Sequence, residues 1–227
     1  MTHIVSLGQK VYYFERIPEF IPYFLPAAAM TFKITAAGIA IGLFLGLLTA
    51  FLKISNYKIL SVPAGFYVYV IRGTPLLLQI WLFYFGLARI LPMEGLTAAA
   101  FALGLHNGGY IAEIFRGAII SIDKGQMEAA RSLGMTYLKA MRRIILPQAF
   151  KRSIPPLGNQ FIIALKDSSL ASTIAVPELL LKSRQLGSSN FLMMEMLTVA
   201  GIFYLLFTTV LYIFVSRIEY RLQVSDR

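Results

Sequence analysis

Apolar residues in this chain gather into runs too long for the core helices of a water-soluble domain. Ile34 to Leu52 is 19 residues without a charge, enough to cross a hydrocarbon core of roughly 30 Å. The pattern predicts five such spans, at about 23–52, 75–91, 96–120, 154–176 and 191–215. In the first, Gly38, Gly42 and Gly46 recur at every fourth position, a small-residue face suited to close helix packing. The second is interrupted. Residues 59–71 are apolar, then Arg72-Gly73-Thr74-Pro75 breaks the run. Pro75 suits the first turn of a helix, so the crossing is expected mainly over Pro75 to Leu91, with 57–72 entering from the interface and Arg72 snorkelling to the surface. Pro155-Pro156 should start or kink the fourth span. Residues 1–20 have no apolar core of signal-peptide length and read as a short amphipathic or irregular lead-in.

Composition agrees with this pattern. Hydrophobic residues make up 57% of 227 and charged residues only 14%, where a soluble domain carries about 25%. The chain is therefore expected to be one all-α, multi-pass membrane domain over 1–227. With 0 cysteines it builds neither a disulfide framework nor a thiolate metal site. The net charge of +10 would suggest nucleic acid in a soluble protein. Here the basic residues border the apolar runs, so positive-inside topology explains them better. With the N-terminus outside, 14 basic residues fall on inner segments and 5 on outer ones. The expected orientation is N-out, C-in.

That orientation puts residues 123–152 in the cytosol. Ala129, Ala130 and Leu133 form an expected apolar ridge on a short helix, with Glu128, Arg131 and Ser132 facing water. Gly134 suits the left-handed residue that ends a helix. Thr136 can cap a second helix, YLKAMRRIIL, which Pro147 then bends. An Ala-rich knob fits a shallow groove in a partner, and the adjacent Lys/Arg run suits anionic headgroups. Read from the residues alone, an ordinary interfacial loop helix remains open.

The spacing of fixed residues narrows the choice. Glu128-Ala129-Ala130, Gly134, Ile144 and Leu146-Pro147 together resemble the EAA loop of permease subunits of binding-protein-dependent ABC importers. The stretches "RGTPLLLQIWLFYFGL" (72–87), "YIAEIFRGAI" (110–119), "KGQMEAARSLG" (124–134), "ILPQAF" (145–150) and "PPLGNQFIIALKDSSLAS" (155–172) are similar to its polar amino-acid branch. The resemblance implies a five-helix, type I (MetI-like) permease fold with a coupling loop at 123–152. It implies that Glu128, Ala129, Ala130, Arg131, Leu133 and Gly134 seat a separate cytosolic ATPase. It also implies two such ATPases per complex, an extracellular or periplasmic amino-acid-binding protein, and a prokaryotic cell membrane. Because five spans do not readily enclose a path, a second permease is expected, with an identical chain favoured and a different one left open. No phosphate-binding Gly-x4-Gly-Lys-Ser/Thr loop occurs here. ATP and Mg are thus expected on the partner, with no cofactor on this chain.

Ionisable and amide groups inside spans are functional candidates by default. Glu113 and Tyr110 lie in the third span near Asn107, and Asp167, Asn159 and Gln160 lie in the fourth. Amides and backbone N–H groups could hold a substrate carboxylate, and Glu113 or Asp167 an ammonium. Structural pairing is equally open for both acids; Glu113 faces Arg116 at i+3. Asn159 could bond a neighbouring helix, and His106 could be a packing residue. A metal site is not expected, because only His3 and His106 exist. Two intramembrane acids favour a basic amino acid, with glutamine or another polar amino acid as the alternative. Competing classes are a gradient-driven transporter or channel and a membrane enzyme, for which no nucleophile–base set is visible.

Overall fold

The protein was analysed as a computed structural model that describes residues 16–224; the lead-in to residue 15 and Arg227 lie outside the described residues. All regular structure there is helical. Helix α1 (Ile17–Ile54) is followed by α2 (Lys58–Gly73), α3 (Leu76–Trp81, continued by a π-helical turn Leu82–Gly86) and α4 (Gly95–Ile120). Next come α5 (Lys124–Ser132), α6 (Tyr137–Ala140) and a π-helical turn Met141–Ile145 leading into α7 (Leu146–Asp167). A 3-10 segment (Ser168–Ile174), α8 (Leu179–Asn190) and α9 (Met193–Val224) complete the chain.

The glycine face of α1 packs on α4. A Cβ built on Gly38, Gly42 or Gly46 would lie 2.8 Å from Leu103, 2.9 Å from Asn107 and 2.5 Å from Ile111. Contacts advance together along both helices, so α1 and α4 run parallel. Helix α7 runs the other way: Leu157 packs with Ala50, Ile111 and Phe115, while Ala171 and Ile174 reach Ile34 and Ala98. Helix α9 runs with α1, through Phe24 on Phe203 (5.8 Å between ring centres) and Phe32 on Phe207 (4.5 Å). The ends of α1, α4 and α9 and the start of α7 therefore share one end of the bundle. That end carries Lys53, Lys58, Arg116, Arg142, Arg143, Arg217 and Arg221 and is called the basic end below.

The second expected span differs from the sequence expectation. Leu76–Gly86 is too short to cross by itself, at roughly 16 Å. The apolar segment is instead shared by two helices, Lys58–Gly73 and Leu76–Gly86, bent by 105°. Pro75 causes the break. It disfavours the helical region at the preceding residue, and Thr74 is extended (φ −121, ψ 146). The carbonyls left open at the end of α2 are recovered by one side chain. Gln79 Nε2 donates to Ile71 O (2.9 Å) and Thr74 O (3.2 Å).

Among the described residues two helices, Ile17–Ile54 and the α9 segment Met193–Leu222, are long and apolar enough to cross a membrane alone, and the bent pair passes as a third. Helices α4 and α7 carry more polar groups. The fourth expected span also ends differently, since α7 gives way to the 3-10 segment after Asp167. Pro155-Pro156 lie inside α7 rather than starting it.

Candidate functional site

Two regions gather the polar chemistry. The first is a seam between α2, α3, α4 and α7. Gln79 meets His106 Nδ1 through Oε1 at 3.2 Å. One residue on, fully buried Asn107 donates from Nδ2 to Leu103 O (2.7 Å) and accepts from Gln160 Nε2 at 2.8 Å. Two amides expected to face a ligand are thus brought together, and each occupies part of the other's capacity. Tyr110 lies a turn further, its ring 5.0 Å from that of His106. Arg72 sits over the same Tyr110 ring at 5.2 Å. The broken span therefore brings Arg72 level with Tyr110 of α4. Arg72 is exposed and has no acidic partner among the described residues.

Glu113 lies two turns from Asn107 toward the basic end. Its carboxylate accepts from Lys53 Nζ of α1 and from Arg116 at Nε (3.1 Å) and Nη2 (2.8 Å). Through Lys53 it clamps α1 to α4, while Arg116 is its i, i+3 partner on α4 itself. Asp167 is half-buried without an ion pair among the described residues. It lies seven residues from Gln160 toward the other end, about 10 Å along α7. Glu113 is about 9 Å from Asn107 in the opposite direction. The two acids are thus too far apart for one amino acid to touch both. Asn159 turns away from Gln160 and is exposed, on a stripe shared with Arg152, Pro156 and Lys166.

The second region is the segment 123–152 at the basic end, expected from the sequence to be a coupling loop. Asp123 caps α5, its side chain accepting from Gly125 N at 2.7 Å. Helix α5 ends in a reversal whose Met135 N donates to Ala130 O (3.1 Å) and Gly134 N to Arg131 O (3.0 Å), the paired bonds of a glycine-terminated helix. Gly134 has φ +81 as that reversal requires. Thr136 Oγ1 caps α6 by accepting from Lys139 N. The expected ridge is corrected in one respect. Ala130 is buried on its own chain, whereas Ala129 and Leu133 face outward, Leu133 at 81% exposure. Glu128, Arg131 and Gly134 are exposed beside them. The second helix is also not continuous, because a π turn intervenes before Leu146. Ala118, Ile122, Ile145 and Ala149 bind the segment beneath α4. Arg152 Nη1 donates to Ser121 O at 2.6 Å.

Sequence reasoning missed Gln79 and the placing of Arg72 over Tyr110. The signal available was the Gly-Thr-Pro break itself, which leaves carbonyls needing a donor nearby.

Residues 38–224, which include the exposed Glu128, Ala129 and Gly134 at the basic end, match a known family. The chain belongs to the family of binding-protein-dependent transport system inner membrane components. It is 39% identical over 207 residues to the glutamine transport system permease protein GlnP of Escherichia coli (strain K12), covering 90% of this chain and 94% of that one. It is 37% identical over 212 residues to the arginine transport system permease protein ArtQ of Bacillus subtilis (strain 168), covering 92% and 96%. A crystal structure of an amino acid ABC transporter with histidines contains a chain 37% identical, with TM-score 0.85, covering 97% of this chain and 100% of that one. The inward-facing MetNI methionine ABC transporter, at 22% identity and TM-score 0.65, shares the fold. The fold is thus that of MetI-like importer permeases, and the relatives named here are permease subunits of importers.

Proposed function

We propose that this chain is the transmembrane subunit of an ATP-driven amino-acid importer, docked through α5 on a separate ATPase. The observation that carries the reading is the coupling segment. Ala129, Leu133 and Glu128 project from a helix fixed to the ends of α4 and α7, so a push on it moves both. Two ATPases carrying ATP and Mg, a binding protein at the opposite face and a second copy of this permease complete the assembly. The cell membrane of a prokaryote is its place.

Five crossings, N-out and C-in, are favoured by the alternating direction of α1, the bent pair, α4, α7 and α9. The clustering of cations at the basic end favours the same orientation. The whole chain then acts as one permease domain with its coupling loop at 123–152. Closure of the ATPases drives it between inward-facing and outward-facing states.

In the substrate path, Tyr110 with the bonded Asn107–Gln160 pair behind it forms the polar middle, and Asn159 offers its amide from the exposed stripe of α7. Arg72 is the donor suited to a substrate carboxylate, bidentate and always charged. Asp167 attracts the ammonium or a basic side chain on one side of that middle, and Glu113 closes the other side through its clamp. A basic amino acid fits the free Asp167, and the likeness to the arginine permease and to the transporter with histidines favours it. Glutamine is the second reading, favoured by the likeness to GlnP and by the amide-lined seam.

Uptake into liposomes containing the full complex and binding protein tests both. Arginine, lysine and histidine are expected to compete for uptake better than glutamine, in an ATP-dependent manner. Better competition by glutamine selects the second reading, and uptake by this chain alone on an ion gradient rejects the importer.

A further inference from the structure

A continuous apolar furrow runs along the bundle near the basic end and opens onto unpaired cations. Its deeper part, about 180 Å³, is lined by Leu47, Phe51, Phe115, Ile119, Leu146 and Phe150 among others. Its wider part, about 410 Å³, shares Phe51, Ile119 and Leu146 and adds Ile54, Tyr137, Leu138, Met141 and Arg142. Leu47 to Ile54 is about 10 Å of helix rise, so the furrow reaches from the hydrocarbon region to the helix ends. There Arg142 also lines an adjoining polar recess with Thr136, Leu138, Lys139 and Arg143. No acidic side chain lines any of these three spaces. The side chains of Lys139, Arg142 and Arg143 make no hydrogen bond or ion pair among the described residues.

We infer that this furrow is a binding site for one anionic phospholipid, its acyl chain along Leu47, Phe115 and Phe51 and its phosphate at Arg142, Lys139 and Arg143. Charge complementarity and depth select this occupant. A water-soluble subunit does not reach the level of Leu47 and Phe115, which lie one to two turns inside the helix ends. A second copy meeting this face across a two-fold axis would set the cationic rim against itself. Phospholipid offers both an apolar tail of the right reach and the missing negative charge, each nearby Lys or Arg contributing to such attraction. The site is structural as well. The π turn Met141–Ile145, where Leu146 N bonds Met141 O, forms one wall, and turns of this kind recur at functional positions. A lipid here sits between the ends of α1 and α4 and the coupling segment, and holds the lever against the bundle.

The complete importer in nanodiscs of mixed phosphatidylglycerol and phosphatidylcholine provides the test. Native mass spectrometry of the released complex should find phosphatidylglycerol retained preferentially. Phosphatidylglycerol carrying a photoreactive acyl chain should label peptides containing Phe51, Ile119 or Met141. The K139Q/R142Q/R143Q triple variant should lose the preference, by roughly fivefold per charge removed. An R217Q/R221Q variant, altered elsewhere at the same end, should keep it. Equal loss in both variants, labelling confined to α9, or retained preference in the triple variant would each overturn the proposal.

Discussion

Glu113 holds two cations from two helices, and its side chain is only 18% exposed. Neutralising it would leave Lys53 and Arg116 facing each other without the acceptor that both use. Glu113→Gln is therefore expected to destabilise the chain by about 1–3 kcal/mol, read as a lowered melting temperature of the purified complex. Lys53→Met added to Glu113→Gln should recover part of that loss. An unchanged melting temperature together with weaker substrate stimulation would move Glu113 from clamp to ligand. Arg72 is the converse case, since no acid compensates it. Arg72→Gln is expected to leave stability intact and to raise the half-saturating substrate concentration about tenfold or more, the share of one charged hydrogen bond. A normal concentration dependence in ATPase stimulation would remove Arg72 from the path. Asp167→Asn should shift preference away from basic amino acids in the same assay.

The α1–α4 pair depends on absent side chains. A Cβ on Gly46 already meets Ile111 at 2.5 Å, so Gly46→Leu is expected to separate the helices and abolish recovery of the assembled complex from membranes. Normal recovery would mean that the pair is looser than described. At the other junction, Gly134 needs φ +81. Gly134→Asp strains the reversal and adds charge to the docking face, so substrate-stimulated hydrolysis should fall while the membrane domain stays folded; unchanged coupling would count against docking there. These two elements were legible in the sequence because local rules decide them. A glycine every fourth residue needs close packing, and Gly134 followed by Thr136 signals stop and start. The bent pair was not legible in the same way. Arg72-Gly73-Thr74-Pro75 announced a break, but where each half goes depends on Gln79 and His106, which meet only after folding. Ala130 likewise carried no local sign that it turns inward, because that is set by the π turn packed against α5. The bond between Asn107 and Gln160 joins residues 53 apart, beyond the reach of any periodicity.

One chain leaves its path open on a side. Asn159, Pro156 and Lys166 are exposed along α7, and a lysine and an amide facing hydrocarbon are costly. A second permease or a water-filled path must cover them, which favours a two-fold pair. Native mass spectrometry of the intact importer should count two permease chains; a single one would contradict this. In the function proposed above, the same geometry serves α5 as a lever. Its base is pinned under α4 by Ala118, Ile122 and Ile145, and its tip is bare. Because the natural chain has 0 cysteines, a cysteine placed at Leu133 is unique, and disulfide or maleimide cross-linking from it reports directly on what grips the tip. In the assembled, working importer it is expected to cross-link to the ATPase subunit, shielded from reagents added outside the cell, and the cross-link should stop uptake. Labelling of that cysteine from outside intact cells, or uptake that continues with the tip free of any partner, would contradict the account.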